Sequence, residues 1–230
     1  MPTLTKTCLY LLCSALLLLN ACKPEKPEQK WNTYGPYFMG DLAKYVCFKP
    51  GTVWVYKNPA SGERDTVRCN YGKRFMDTVV SAGYHLKVVK ETFYTAFSFS
   101  RDGYDGDISD FRYTYWQKPE PFDYKINFGK AKQGSGGGDI VAMFYPFDKT
   151  RNPKDVEPGY SFIAILMSKD TSVNIYGRYF DTVQIFKNTS DITWNSSPAI
   201  YYWAKGFGIV FRRDVNTGEE WFLESEYIIQ

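Results

Sequence analysis

The 230-residue sequence is poor in histidine and has no strong excess of charge of either sign. Its single histidine, His85, excludes any metal site that needs two imidazole ligands, and any Ser-His or Cys-His mechanism would have to use this one residue. His85 alternates onto the same side of its segment as Lys87, which predicts an exposed strand residue. With 28 Lys and Arg against 25 Asp and Glu, the net charge is only +3 and gives no reason to expect nucleic acid as a partner.

The sequence also lacks a Gly-x-Ser-x-Gly nucleophile motif and an apolar run long enough to span a membrane. The longest apolar run extends from Cys8 to Leu19. It has the length of an export-signal core, about 7 to 15 residues, and falls short of the about 18 residues that a membrane-spanning helix needs. Residues 1–21 are therefore predicted to be a signal peptide.

The end of this run, Leu19-Asn20-Ala21-Cys22, resembles the lipobox of bacterial lipoproteins. The resemblance implies cleavage before Cys22, diacylglycerol on its thiol, and a fatty acid such as palmitate on the new amino terminus. Each buried methylene contributes about 0.8 kcal/mol, so two or three acyl chains would hold the protein firmly on a membrane. Lys23 is similar to the residue found in lipoproteins that move to the outer membrane. The alternative is an ordinary secretory signal followed by a chance cysteine.

The rest of the chain divides into a short tether and one long domain. Residues 23–30 contain only Lys, Pro, Glu and Gln, a composition that cannot bury a core and favours solvated, extended backbone. Residues 22–30 are thus predicted to be the lipid-carrying cysteine and its tether. Residues 31–230 have the length of a single β domain.

The composition of this domain favours strands. Aromatic residues make up 18% of the chain, and Val, Ile and Thr recur throughout. Helical periodicity is nearly absent, and only residues 37–46 suit a turn or two of helix. The short spacings between strand segments favour antiparallel neighbours. We expect an all-β fold, either a large curved antiparallel sheet or a partly open half-barrel, with little helix apart from the signal peptide.

The clearest hairpin joins residues 52–57 to residues 64–69. A symmetric turn over residues 58–63 places Trp54 opposite Val67 and Tyr56 opposite Asp65. Trp54, Tyr56, Val67 and Cys69 then share one face, which we expect to be buried.

Further segments have the composition of strands. A second hairpin is predicted between residues 208–213 and 220–229, because the Asn and Gly of the connection accept left-handed backbone angles. Separate shorter strands are predicted at residues 77–82, 84–92 and 93–100.

Three segments resemble uncharacterised envelope lipoproteins of Gram-negative bacteria. They are Phe48-Lys-Pro-Gly51-Thr-Val-Trp54-Val-Tyr56, Ile175-Tyr-Gly177-Arg-Tyr179-Phe-Asp181-Thr-Val183 and Tyr201-Tyr-Trp-Ala-Lys-Gly206-Phe-Gly208-Ile-Val210. The resemblance implies a half-barrel sheet and no particular reaction. Gly, Trp and Tyr at these places also serve bends and core packing.

Two of the five cysteines, Cys47 and Cys69, lie in the predicted domain. An exported compartment permits a disulfide between them, although the predicted hairpin does not place them opposite each other. The alternative is a pair of buried, inert thiols.

An acidic segment is the main candidate for a metal. Asp102, Asp105, Asp107 and Asp110 lie close together in a glycine-rich stretch, and Ca²⁺ prefers clustered oxygen ligands. The spacing differs from the helix-flanked calcium loop, so an ordinary acidic turn is the alternative. Zinc has less support, since Cys47, Cys69 and His85 are scattered. No cofactor is predicted.

The tripeptide Asp-Thr-Val occurs three times and resembles the O-glycosylation acceptor of some Gram-negative envelope proteins. The acceptor residues would be Thr66, Thr78 and Thr182. Thr and Val are also ordinary strand residues, which is the competing interpretation.

Together these features favour a non-enzymatic lipoprotein of the cell envelope, anchored to a membrane through its N-terminal lipid, whose β domain binds a lipid, a glycan or another envelope protein. An envelope hydrolase would need two carboxylates across a cleft. The sequence offers several but does not choose among them: Glu91, Glu120, Asp123, Glu157, Glu219 and Glu220. The third hypothesis is a purely structural scaffold, which would be a filled sheet without a cavity.

Overall fold

The computed structural model describes residues 31–81, 85–100, 104–110, 124–132, 138–145, 164–188 and 198–230. The predicted signal peptide, Cys22 and the tether lie outside these residues. The described part contains twelve strands: β1 Asn32–Tyr37, β2 Val53–Lys57, β3 Arg64–Ser81, β4 Leu86–Phe99, β5 Tyr104–Asp110, β6 Tyr124–Lys132, β7 Gly138–Tyr145, β8 Ala164–Ile175, β9 Arg178–Asn188, β10 Ala199–Ala204, β11 Gly208–Asp214 and β12 Glu220–Tyr227. A 3-10 turn, Gly40–Leu42, continues directly into the short helix α1, Ala43–Val46.

The strands form one large open sheet in the order β7-β6-β5-β4-β3-β2-β12-β11-β10-β9-β8, and β1 pairs with β4 outside this path. The neighbours along the path are antiparallel. The expected all-β fold is confirmed. Because β2 pairs with β12, the early and late parts of the chain meet in the middle of the sheet.

The local predictions for the first hairpin and the helix are also confirmed. Trp54 faces Val67 and Tyr56 faces Asp65 between β2 and β3. Trp54, Val67 and Cys69 are buried in the main core, and Tyr56, the fourth member of the predicted face, is half-buried against it. The turn is closed by Asn58, whose side-chain oxygen accepts hydrogen bonds from the main-chain N–H groups of two residues that follow it.

Strands β3 and β4 are longer than their sequence suggested. The segments predicted separately at 64–69 and 77–82 belong to the single strand β3, which continues through a register shift between Cys69 and Tyr71. The two segments predicted at 84–92 and 93–100 are likewise one strand, β4. The alternation of burial along β4 changes phase at Thr92 and Phe93, both of which are buried, so the strand presents opposite faces to the interior on either side of this point.

The sheet is strongly curved, as the contacts of the β8–β9 hairpin with β12 show. Strands three places apart in a flat sheet lie about 14 Å from each other, which is beyond the reach of an arginine side chain. Yet Arg178 of β9 donates from Nη1 to the main-chain oxygen of Leu223 at 3.1 Å and from Nη2 to Glu226 Oε1 at 2.9 Å. The Tyr176 ring in the hairpin turn stacks on Phe222, with 4.4 Å between centroids.

Helix α1 packs against the late strands β9 and β10 and against the early strand β4. Trp203 of β10 donates from Nε1 to the main-chain oxygen of Tyr45 at 2.9 Å, and the Tyr45 hydroxyl donates to the main-chain oxygen of Thr182 at 3.2 Å. On the other half, the Thr95 hydroxyl of β4 donates to the main-chain oxygen of Val46 at 3.0 Å. These bonds satisfy carbonyls at the helix end that lack intrahelical partners. None of the helices in the described ranges is long and apolar enough to cross a membrane.

Candidate functional site: a cationic cavity beside helix α1

The segment that follows α1 crosses β3 at its bulge. The main-chain oxygen of Phe48 lies against Gly72, where an added Cβ would be only 1.9 Å from it. The crossing is held by main-chain hydrogen bonds from Gly51 to Cys69 at 3.0 Å and from Cys69 to Thr52 at 2.8 Å. A glycine is therefore required at position 72 for steric reasons, because only a residue without a side chain allows the two backbones to approach this closely.

The last residues of the chain close one side of this crossing. Ile229 exchanges two hydrogen bonds of 3.0 Å with the Thr52 hydroxyl, and its main-chain oxygen also accepts from the Lys49 N–H at 2.9 Å. Gln230 then lies between two lysines. Its side chain donates to the main-chain oxygen of Lys44 at 2.9 Å, and its own main-chain oxygen accepts from Lys49 Nζ at 2.7 Å.

These elements line a half-open cavity of about 440 Å³ beside α1. Its lining combines apolar or small residues with four cationic ones and contains no acidic residue: Ala43, Lys44, Cys47, Phe48, Lys49, Gly72, Lys73, Arg74, Thr95 and Gln230. The volume lies in the range of about 300 to 1,000 Å³ that is typical of small-molecule sites. We take this cavity as the candidate functional site.

Two carboxylates that do not line the cavity form ion pairs with cationic residues that do. Glu91 accepts a bidentate pair from Arg74, with 2.5 Å to Nε and 2.9 Å to Nη2, and a further hydrogen bond from the Met39 N–H at 3.1 Å. The Arg74 guanidinium lowers the pKa of Glu91 from its ordinary value of 4.5, so Glu91 is ionised at neutral pH. Asp41 lies 3.2 Å from Lys44 Nζ, and its other oxygen lies 2.8 Å from a lysine of the β10–β11 turn, Lys205.

The two cysteines of the domain are free thiols. Cys47 lines the cavity, and the thiol of the buried Cys69 donates to the main-chain oxygen of Tyr71 at 3.4 Å. Burial raises the pKa of Cys47 to about 12 and that of Cys69 to about 11. Both are therefore protonated at neutral pH and weak nucleophiles. Cys69 is buried and Cys47 is half-buried, and the disulfide between them stays a prediction.

The structure describes only part of the acidic segment. Asp105, Asp107 and Asp110 lie in strand β5 rather than in a loop, whereas Asp102 lies outside the described residues. Within the described part of the chain no group of three or more His, Cys, Asp and Glu side chains is placed to hold a metal ion. Calcium at the acidic segment stays a prediction.

His85 lies in the turn that leads into β4 and is half-buried, with a left-handed φ of 52°. The three threonines predicted to carry glycans all lie on strands. Thr78 is exposed on β3, Thr66 is half-buried on the same strand, and Thr182 is half-buried on β9. Thr78 is thus the most accessible of the three acceptors, and O-glycosylation stays a prediction.

The carboxylates considered for hydrolysis do not assemble in the described structure. Glu91 has a lowered pKa, the opposite of what a general acid requires. Glu219 accepts from Trp221 Nε1 at 2.9 Å, and Glu220 accepts from the Tyr176 hydroxyl at 2.6 Å on the β8–β9 turn. Glu120, Asp123 and Glu157 lie outside the described residues.

Sequence reasoning missed the residues that form the cavity. Lys44, Lys49 and Arg74 carry no motif, and their local sequences indicate only exposed charge. The one available signal was Gly72 within a strand-forming stretch, because a strand glycine marks a bulge or a close backbone approach. Comparisons of the chain with protein-family models, with curated proteins and with solved structures found no match.

Proposed function

We propose that this chain is a lipid-anchored lipoprotein of the cell envelope whose β domain binds a small ligand in the cavity beside α1. The anchor rests on the lipobox-like Leu19-Asn20-Ala21-Cys22. The observation that carries the binding role is the cavity itself, which has the volume of a small-molecule site and polar groups converging from four separate segments.

The side chains around the cavity support binding rather than catalysis. Glu91 is held ionised by Arg74, and Cys47 is held protonated by burial. Neither state suits a general acid or a thiolate nucleophile. The cavity also argues against the scaffold hypothesis, which expects a filled sheet. What these residues offer is fixed positive charge from Lys44, Lys49, Lys73 and Arg74.

The proposed anchor restricts where the domain works. The eight residues 23–30 span at most about 28 Å when fully extended. The domain would therefore stay close to the lipid headgroups of the membrane that holds it. Lys23 is similar to the residue found in lipoproteins of the outer membrane, so we propose that this is the outer membrane. A ligand from that surface, a lipid or a glycan, is then at high local concentration.

Mass spectrometry of the natively expressed, detergent-extracted protein tests the anchor. We expect a mass corresponding to residues 22–230 plus acyl chains, and the loss of these chains in Cys22→Ala. Cys13→Ala, which changes a signal-peptide cysteine and leaves the lipobox intact, is the matched control and should keep them. A product without lipid, cut at another site, would contradict the proposal and leave a secreted β domain.

The binding role is tested on the same extract under native ionisation. We expect a non-covalent adduct of small mass that is released on denaturation. A protein that repeatedly carries no adduct, and that shows no change in melting temperature with any lipid or glycan extract of its own envelope, would contradict the binding role without touching the anchor.

A further inference from the structure

We propose that the ligand of this cavity carries a phosphate group. This inference deepens the proposed function and rests on it. Lys44, Lys49 and Arg74 reach the cavity from α1, from the segment after it and from β3, whereas no acidic residue lines it. A ligand that enters the cavity therefore meets positive charge from three directions.

The balance of charge around the cavity favours an anion. Asp41 is shared between Lys44 and Lys205, so one carboxylate neutralises two ammonium groups only in part. Glu91 compensates Arg74, and Lys49 Nζ donates to the main-chain oxygen of the last residue, Gln230. The lining itself holds four cationic residues and no acidic side chain. A phosphate monoester carries a charge of about −1.5 to −2 at pH 7 and compensates such an excess better than a single carboxylate does.

The geometry of the lysines allows them to contact such a group. Lys44 is 58% exposed at its side chain, and its partner Asp41 is 56% exposed, so this pair exchanges readily with water or with a ligand. Gln230 joins the main chain of Lys44 to the Nζ of Lys49 through one hydrogen bond to each, 2.9 Å and 2.7 Å long. Lysine ammonium groups bind phosphate as point charges and need no fixed fork.

The test is titration calorimetry of the detergent-solubilised full-length protein with phenyl phosphate. Benzyl alcohol serves as a neutral compound of similar size and benzoate as a carboxylate. We expect phenyl phosphate to bind more tightly than either, with an affinity that falls as NaCl rises from about 50 to about 500 mM. Equal affinity for benzyl alcohol would overturn the inference, and tighter binding of benzoate would replace phosphate with a carboxylate.

The variants Lys44→Gln and Lys49→Gln test the residues. Each should lower the affinity for phenyl phosphate by about tenfold, because one charge-assisted contact is lost. Lys169→Gln, which changes an exposed lysine of β8 outside the cavity lining, is the control and should bind as the parent does. An unchanged affinity in both cavity variants, or an equal loss in the control, would overturn the inference.

Vesicles distinguish the two sources of a phosphate group. Binding of Cys22→Ala protein to phosphatidic acid vesicles and not to phosphatidylcholine vesicles, weakened in the lysine variants, would assign a lipid headgroup. Binding of phenyl phosphate without any vesicle binding would assign a soluble phosphate ester. A native adduct that contains no phosphate and binds equally well to both lysine variants overturns this inference alone. A protein with neither acyl chains nor an adduct overturns the proposed function.

Discussion

Gly72 is the residue at which one added methyl group would disturb the cavity most. A Cβ at this position would lie 1.9 Å from the Phe48 main-chain oxygen, and this contact involves backbone on both sides. We expect Gly72→Ala to lower the free energy of unfolding by about 2 kcal/mol or more, since overpacking of a rigid site costs about 1 to 3 kcal/mol. Urea denaturation measures this.

The matched control is Gly62→Ala in the β2–β3 turn. Gly62 has a positive φ of 75° but nothing within 4 Å of an added Cβ, so only the conformational cost of about 1 kcal/mol applies. If Gly72→Ala proved no more destabilising than Gly62→Ala, the close approach of Phe48 to β3 would be wrong.

The thiols of Cys47 and Cys69 allow a second prediction at this scale. Because burial raises their pKa values to about 12 and about 11, both should react slowly with iodoacetamide in the folded protein at pH 8 and rapidly in urea. Peptide mapping by mass spectrometry locates the label. Alkylation of folded Cys47 at the rate of a free thiol would contradict the burial, and a Cys47–Cys69 crosslink in the non-reduced digest would establish the disulfide instead.

At the level of elements, the β8–β9 hairpin holds the curvature of the sheet through Arg178. Its guanidinium contacts both carboxylate oxygens of Glu226, at 2.8 and 2.9 Å, and the Glu226 side chain is only 17% exposed. Removing the arginine would leave a mostly buried carboxylate without its counter-charge.

We therefore expect Arg178→Met to destabilise the protein by about 2 kcal/mol, measured by urea denaturation. Arg64→Met is the comparison, because Arg64 pairs with Glu224 in a similar bidentate geometry but is 57% exposed. Exposed pairs contribute about 1 kcal/mol or less. Equal losses in the two variants would show that the Arg178 contacts do not support the curved sheet.

For the whole molecule, the sheet order makes the early and late strands parts of one core. Trp54 of β2 packs its ring against Phe48 at 4.9 Å and Phe97 at 5.5 Å, and its Nε1 donates to the Phe207 main-chain oxygen at 2.7 Å. Tyr56 makes the same kind of bond, from its hydroxyl to the Ile209 main-chain oxygen at 2.7 Å. Contacts from β2 therefore stabilise both the early strands, through Phe97, and the late strands, through Phe207 and Ile209.

This arrangement predicts a single cooperative unfolding transition. Far-UV circular dichroism and tryptophan fluorescence should give the same urea midpoint. Trp54→Phe leaves the Phe207 carbonyl without its donor, so it should lower the free energy of unfolding by about 1 to 3 kcal/mol and move both midpoints together. Tyr227→Phe, at a position that is 66% exposed, should leave both midpoints unchanged. Two separate transitions would mean that the halves of the sheet fold independently.

Local patterns in the sequence were sufficient for features that depend on neighbouring residues. The alternation of apolar residues and the turn at Asn58 predicted the partner of Trp54 correctly, and the short helix after Tyr37 was also predicted. Local patterns predicted the lengths of the strands less well. The separate strands predicted at 84–92 and 93–100 are wrong, because no turn residue separates Thr92 from Phe93 and β4 continues through both with a change of buried face.

The all-β class, the first hairpin and α1 followed from the sequence alone, because composition and alternation act over a few residues. The pairing of β2 with β12, the curvature and the cavity required the tertiary structure. The cavity takes Lys44, Gly72, Thr95 and Gln230 from segments that no local periodicity connects, and it exists because Phe48 crosses β3 where Gly72 has no side chain. A site of this kind depends on long-range packing, and apart from the strand glycine Gly72 its residues carry no signal in the local sequence.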